Sequence, residues 1–375
     1  MAQFGGAGGA GGAGGAGGAG GAGGAGGAGG AGGAMLGTMA DAYANSIMVD
    51  ALILGREGTI VPDTSSYAPA LPTTIDDPLQ IERWEPWVRA YVAIGEMLQG
   101  ITFRKTTTVD GFQVLSYLSS PPSSSPSLIA EIQRPQKSTF DAQVPMVLSW
   151  AELRSERATE IMAQIDPTYA FWSSIVYMHP DRTRRTFELV NMVLQFCVYV
   201  EMRFKHALAC WRPVEYNAQV QPMLTTPGHG AFPSGHATQV FAVAHVLTKL
   251  LKQPVNARIT EQLNRQAARI ATNRVVAGVH FPVDSMSGRM LGVALGEYFV
   301  KRCTGGGPPF KGRTFVAAGI DTTPTVDFNP FHPDQSSLAS PSPFYSESTG
   351  GTITKSPLMQ HLWNAARSEW TDRFP

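Results

Sequence analysis

From His179 to Trp211 the chain reads "HPDRTRRTFELVNMVLQFCVYVEMRFKHALACW". Apolar side chains recur through it at helical spacing. Asp181, following Pro180, is placed to cap its start. Arg212-Pro213 stops it, because the residue before a proline is pushed out of the helical region. The most apolar part, "FELVNMVLQFCVYVEMRF", carries Glu188 and Glu201 and has charged flanks. Nowhere does the chain hold 18 uninterrupted apolar residues, so this segment reads as a core helix rather than a membrane span. A long helix with so much apolar surface has to be enclosed by other helices.

Those other helices are legible in outline. "DPLQIERWEPWVRAYVAIGEMLQG" places Trp87, Val88, Tyr91, Val92, Ile94, Met97 and Leu98 at helical spacing. Two helices are expected near 143–165 and 167–178, one from Ser234, one over about 256–277 and one opening at Pro282, a good first-turn residue. The terminal stretch "SPLMQHLWNAARSEW" is amphipathic, with Leu358, Met359, Leu362, Trp363 and Ala366 forming a docking stripe. Strand signals are few and short. The expected fold class is all-α: a helical bundle with a long helical N-terminal region and an anion site at helix ends. The expected organisation is a disordered tract over 1–40, a helical region over 41–178, a catalytic core over 179–305 and a Pro/Ser-rich tail with its amphipathic helix over 306–375. Within the first segment, residues 5–34 are ten tandem copies of Gly-Gly-Ala, half of the chain's 40 glycines. With no proline the tract is not collagen-like, and with no bulky apolar group it cannot offset its ordering entropy.

Charge excludes some function classes. Lys plus Arg and Asp plus Glu are equal at 29 each, so no bulk field draws in nucleic acid or an acidic membrane surface. Any anion binding must come from a local cluster. The three cysteines, Cys197, Cys210 and Cys303, make no disulfide framework and read as buried thiols. The N-terminus shows no basic region followed by an apolar stretch, so a soluble, cytoplasmic protein is expected.

Three short patterns supply such a cluster. In "KHALACWRP", Lys205 and Arg212 stand seven apart, two helical turns, which would put both cations on one face near a helix C-terminus. In "PGHGAFPSGHATQ", Pro233-Ser234-Gly235 lead into a helix N-terminus whose free N–H groups favour an anion. Gly235 lets the backbone come close. Ser234 offers a hydroxyl or simply an N-cap, and His236 stands in the first turn. In "NRVVAGVHFPVDS", Arg274 closes one helix, His280 lies in the link and Asp284 opens the next. There Asp284 can accept a hydrogen bond from one ring nitrogen and leave the other as a nucleophile or ligand. Each pattern alone has an ordinary reading: a solvated basic face, a helix cap, a buried His–Asp pair. Together they provide three cations, a helix mouth, one free histidine and one oriented histidine. That inventory suits a tetrahedral or trigonal-bipyramidal oxyanion; zinc is disfavoured because the cations would repel it.

In this order, Lys-x6-Arg-Pro, Pro-Ser-Gly-His and Arg-x5-His-x3-Asp resemble the three motifs of the type 2 phosphatidic acid phosphatase and vanadium haloperoxidase superfamily. The resemblance covers about 205–284. It implies that Lys205, Arg212 and Arg274 bind the oxygens of vanadate or phosphate, with Ser234 and the Gly235 amide adding hydrogen bonds. It implies acid–base work for His236, attachment of vanadium or attack on phosphorus by His280, and orientation of His280 by Asp284. The third motif usually begins Ser-Arg, where this chain has Asn273-Arg274. "HFPVD" is similar to the phosphatase form of that motif, and "PSGHAT" to the haloperoxidase form of the second. His229, five residues before Ser234, stands where algal bromoperoxidases also have a histidine and would support halide oxidation; otherwise it is a packed loop residue.

The leading expectation is a soluble vanadium-dependent haloperoxidase-like enzyme, with vanadate as cofactor and hydrogen peroxide and halide as small-molecule substrates. The alternative is a soluble acid-phosphatase-like phosphomonoesterase working through a phosphohistidine, with no cofactor. A non-catalytic anion-binding module is a third reading. No nucleic-acid partner and no membrane span are expected; a homo-oligomer stays open.

Overall fold

The computed structural model describes residues 46–60, 74–119, 125–165, 168–254 and 257–371. The Gly-Gly-Ala tract lies outside the described residues, as does the first part of the helical stretch expected after it. Helix α1, Ser46–Thr59, is exposed along its described side chains. A short 3-10 turn, Pro78–Arg83, precedes α2, Pro86–Leu98. The buried side of α2 is Arg89, Ala90, Ala93 and Met97, so the expected stripe is rotated and Tyr91 and Val92 face outward.

Three strands follow: β1 Ile101–Lys105, β2 Gly111–Ser116 and β3 Ser127–Gln133. Then come α3 Lys137–Trp150, α4 Arg154–Ala163, α5 Tyr169–Val176 and the long α6 Arg184–Leu208. Thr183, not Asp181, occupies the N-cap position of α6. The helix stops at Ala209, whose backbone is left-handed, three residues before Arg212. The one-turn α7, Pro213–Tyr216, is followed by α8 Gly235–Leu250, α9 Arg258–Val276 and α10 Pro282–Thr304. The chain ends with β4 Lys311–Phe315, α11 Ala317–Thr322, α12 Pro333–Ser336, β5 Tyr345–Thr349 and α13 Pro357–Ser368. Met359, Leu362, Trp363 and Ala366 of α13 are buried, as its stripe predicts.

The all-α expectation therefore holds for the helical majority and fails at a five-stranded sheet, ordered β1-β2-β3-β4-β5. β1, β2 and β3 form an antiparallel meander; β4 joins β3 in parallel, and β5 closes the edge antiparallel to β4. The last two strands come from the stretch expected to be a Pro/Ser-rich tail. They complete a sheet begun about 210 residues earlier. Each strand is five to seven residues long, too short to stand out against loop composition.

The helical body centres on α8, buried on almost every side and flanked by α6, α9 and α10. Such all-round burial matches its all-round apolar sequence. Gly292 of α10 lies against the Thr238 carbonyl of α8, where a Cβ would collide with it, and Gly288 does the same at Ser234. Glycine therefore brings the first turns of α8 and α10 into close contact, which carries His236 and Asp284 together. All three cysteines are free and buried. Among the described residues no helix is long and apolar enough to cross a membrane.

Candidate active site

Three places in the fold contribute: the C-terminal end of α6 with the turn after it, the N-terminus of α8, and the α9–α10 link. Lys205, Arg212, His236, Arg274 and His280 are all buried, with relative exposures of 4% or less.

His280 sits directly before α10, where Pro282 is the first-turn residue and Asp284 follows. Its Nδ1 is 2.9 Å from Asp284 Oδ2, and its Nε2 is 3.1 Å from Arg212 Nη1. A guanidinium only donates, so Nε2 accepts and carries the lone pair. The ring proton is then on Nδ1 and is donated to Asp284. Asp284 Oδ2 also accepts the Phe281 N–H at 2.9 Å. One oxygen thus both caps the helix and orients the histidine. Burial pushes the Asp284 carboxyl up to about 7. Burial, with Arg212 next in weight, holds His280 well below the usual histidine value.

Arg212 does not share a helical face with Lys205, since α6 has already ended. It precedes Pro213 in extended backbone and reaches back: Nε donates to His229 O at 3.2 Å and Nη1 to Val279 O at 2.8 Å. Its Nη2 lies 3.1 Å from His229 Nδ1. His229 is half-buried beside the other residues, and burial, then Lys205, lowers its pKa to about 4.

Lys205 is in the last turn of α6. Its Nζ donates to three backbone carbonyls, Gly230 at 3.2 Å, Ala231 at 3.0 Å and Pro233 at 2.5 Å. An ammonium has three N–H groups, so all are used on the loop leading into α8. Lys205 therefore builds the helix mouth and brings positive charge to it. Burial, then Arg212, pulls its pKa down to about 7.

At that mouth Ser234 is the N-cap, its Oγ accepting the Ala237 N–H at 3.4 Å. The amides of Gly235 and His236 are among the first of α8, which an α-helix leaves without an internal acceptor. Gly235 has a second reason to be glycine: a Cβ there would lie 2.6 Å from Glu201 Oε1. Glu201 is buried one turn before Lys205, takes a 2.9 Å hydrogen bond from Gln239 Nε2 and is pushed up to about 7 by burial. His236 Nε2 lies 3.0 Å from the Gln164 carbonyl. A carbonyl only accepts, so this nitrogen carries the proton and the lone pair is on Nδ1. Burial, then Arg274, keeps His236 well below the usual histidine value, hence neutral near pH 7.

Arg274 is fully buried in the last turn of α9. Its Nη2 donates to Ile161 O and to Gln164 Oε1, each at 3.1 Å. Its Nε and Nη1 have no hydrogen-bond partner among the described residues. A buried guanidinium with idle donors leaves desolvation uncompensated, and an oxyanion would supply the missing acceptors. Asn273, which stands where the family motif usually has serine, donates Nδ2 to Gln164 Oε1 at 3.0 Å and accepts from Arg157 Nη1 at 3.1 Å.

The nine residues singled out from sequence thus lie on segments that these contacts tie together. Gln164 and Glu201 were missed: the first is 72 and 110 residues from the two motifs it touches, the second sits inside an apolar helix. A cavity of about 780 Å³ lined by Arg134, Lys137, Trp211, Tyr216 and Asp321 lies nearby and contains none of the nine. Among the described residues no group of three or more His, Cys, Asp or Glu could hold a metal ion. Residues 187–303 match the sequence model described as the PAP2 superfamily, a span that contains all nine residues. No curated protein matches the chain at a significant level.

Proposed function

We propose, from the membership of residues 187–303 in the PAP2 superfamily, that this chain is an enzyme of the vanadium haloperoxidase type, oxidising halide with hydrogen peroxide. The family comprises phosphatases and haloperoxidases, and one observation favours the second: the acid–base histidine is held neutral. Peroxide must lose a proton to act, and His236 presents Nδ1 as an unprotonated base near pH 7.

The residues fit vanadate on the strength of Arg274, whose two buried donors without a partner among the described residues call for an anion. His280 Nε2 would be the attachment atom, with Arg212, Arg274 and the first amides of α8 holding the oxygens. Bound vanadate supplies a Lewis-acidic centre that activates peroxide toward halide without changing its oxidation state. The protein's part is to keep the His280 lone pair on Nε2 through Asp284, to hold positive charge on Arg212 and Arg274 in a dry site, and to take up a proton at His236. His229, hydrogen-bonded to Arg212 at the edge of the cluster, would be a further neutral imidazole to support halide oxidation.

A phosphomonoesterase is the second reading, favoured by the phosphatase-like form of "HFPVD". His280 Nε2 would attack phosphorus, forming a P–N bond as the ester P–O bond breaks, and His236 would protonate the departing oxygen. Water would then hydrolyse the phosphohistidine. That chemistry needs His236 protonated, so burial and Arg274 would confine it to acid pH. Purified protein, metal-free and then orthovanadate-loaded, is assayed for peroxide-dependent bromination and for p-nitrophenyl phosphate hydrolysis. Bromination that appears only with vanadate supports the lead. Hydrolysis that vanadate inhibits supports the second reading, and anion binding with no turnover would leave a binding module.

A further inference from the structure

The C-terminal end of α4 lies outside all three motifs, yet one of its residues touches two site side chains. Gln164 is fully buried. Its Oε1 accepts from Arg274 Nη2 at 3.1 Å and from Asn273 Nδ2 at 3.0 Å. Its Nε2 donates to Glu160 Oε1 at 2.9 Å, and Glu160 is paired with Arg269 at 2.6 Å. Its backbone carbonyl takes the proton of His236 Nε2.

We infer that Gln164 is a positioning residue that aims the Arg274 guanidinium at the oxyanion; the inference rests on the oxyanion reading of the site. A guanidinium is planar and its donors are fixed relative to one another. Holding Nη2 between the Ile161 carbonyl and Gln164 Oε1 therefore sets the direction of Nε and Nη1, the two donors without partners among the described residues. Gln164 is itself held at both ends of its amide: Asn273 and Arg274 fix the oxygen, and Glu160 fixes the nitrogen. The amide suits this task better than a carboxylate. A glutamate at 164 would pair with Arg274 and draw its charge away from the anion, and it would face the Glu160 carboxylate. The position also explains Asn273, which reaches across to the same oxygen where a serine would be too short.

The side chain and the backbone of Gln164 serve different partners, and the test exploits this. Gln164→Met keeps the length and apolar bulk of the side chain and removes both hydrogen-bonding ends, while the carbonyl that holds His236 remains. Orthovanadate and inorganic phosphate affinities are measured by calorimetry on the full chain for wild type, Gln164→Met, Arg274→Ala and the double variant, with melting temperature as the folding control. Gln164→Asn is a second variant in case the methionine protein fails to fold; its amide is one methylene too short to reach Arg274. The expected result is a loss of affinity on the order of 10-fold or more from Gln164→Met in the wild-type background and none in the Arg274→Ala background. The midpoint of the pH dependence of anion affinity should stay in place, because the carbonyl that holds His236 is unchanged. Additive losses in the double variant, or unchanged affinity in folded Gln164→Met or Gln164→Asn, would overturn the inference. Absence of anion binding to the wild type would instead overturn the oxyanion reading on which it rests.

Discussion

Asp284→Asn separates the orienting role of this carboxylate from its capping role. In the wild type, Oδ2 accepts both the His280 Nδ1–H and the Phe281 N–H, each at 2.9 Å. Asparagine keeps an acceptor oxygen at the same reach, so the helix cap survives and the melting temperature should fall by only a few degrees. What it loses is charge. A hydrogen bond to a charged group contributes about 1.5–3 kcal/mol and a neutral one about 0.5–1.5 kcal/mol, so His280 loses about 1–1.5 kcal/mol of support for its basicity. Since about 1.4 kcal/mol is tenfold, orthovanadate affinity should weaken about 10-fold. The measurement belongs at pH 8, above the value of about 7 to which burial pushes Asp284, so that the carboxylate is ionised in the wild type. Asp284→Ala is the contrasting change. It leaves two buried donors without an acceptor at about 1–3 kcal/mol each, so it should destabilise the fold by about 2–6 kcal/mol. Calorimetric titration with orthovanadate and thermal unfolding are run on the same samples. Unchanged affinity in Asp284→Asn would show that Asp284 only caps α10 and would refute the orienting role.

His280→Ala should abolish turnover, whereas His229→Ala, at the edge of the cluster, should leave measurable activity; equal and mild losses in a steady-state assay would mean the attachment atom is misassigned. Gly235→Ala places a Cβ 2.6 Å from Glu201 Oε1 and should cost about 1–3 kcal/mol by denaturant unfolding, with most of that recovered in a Glu201→Ala background. No recovery would show that Gly235 is needed for something other than Glu201. Acid stability carries a histidine signature. His236 and His280 are held well below the ordinary histidine value of 6.5, and His229 is lowered to about 4. Below about pH 6.5 the unfolded chain therefore binds more protons at these positions than the folded one. Their contribution is complete above 6.5 and is lost as pH falls below it, for His229 down to about 4. Asp284 and Glu201, raised to about 7, act oppositely, with stability lost as pH rises from about 4 to 7. The histidine part is read as a difference: the drop in melting temperature from pH 7.5 to 5 should be smaller in His236→Asn than in wild type, and an equal drop would contradict it.

The helices and the motif residues were legible because both depend on local sequence. Ser234 as N-cap, Pro282 in the first turn and the His280–Asp284 pair all follow from spacings of four residues or fewer. The sheet was not legible for the opposite reason. β3 and β4 pair through residues such as Ala130 and Arg313, and neither strand has enough length or alternation to signal a partner so distant. Lys205 shows a subtler limit. Its place in the site was readable, but its use on three loop carbonyls depends on where the 230–233 backbone lies. Arg212 was expected on the Lys205 face because nothing local forecasts a left-handed Ala209. Gln164 stands at the end of a helix that carries no motif, and Glu201 sits inside the apolar α6; only tertiary packing brings them to the motifs.

Whether the three motifs form one vanadate site on His280 is decided by a crystal structure of the orthovanadate-soaked protein. Vanadium is expected bonded to His280 Nε2, with Arg274 Nε and Nη1 and the Gly235 amide donating to its oxygens and His236 within hydrogen-bonding reach. Vanadate bound away from His280, or a site with Arg274 still lacking acceptors at saturating vanadate, would contradict it.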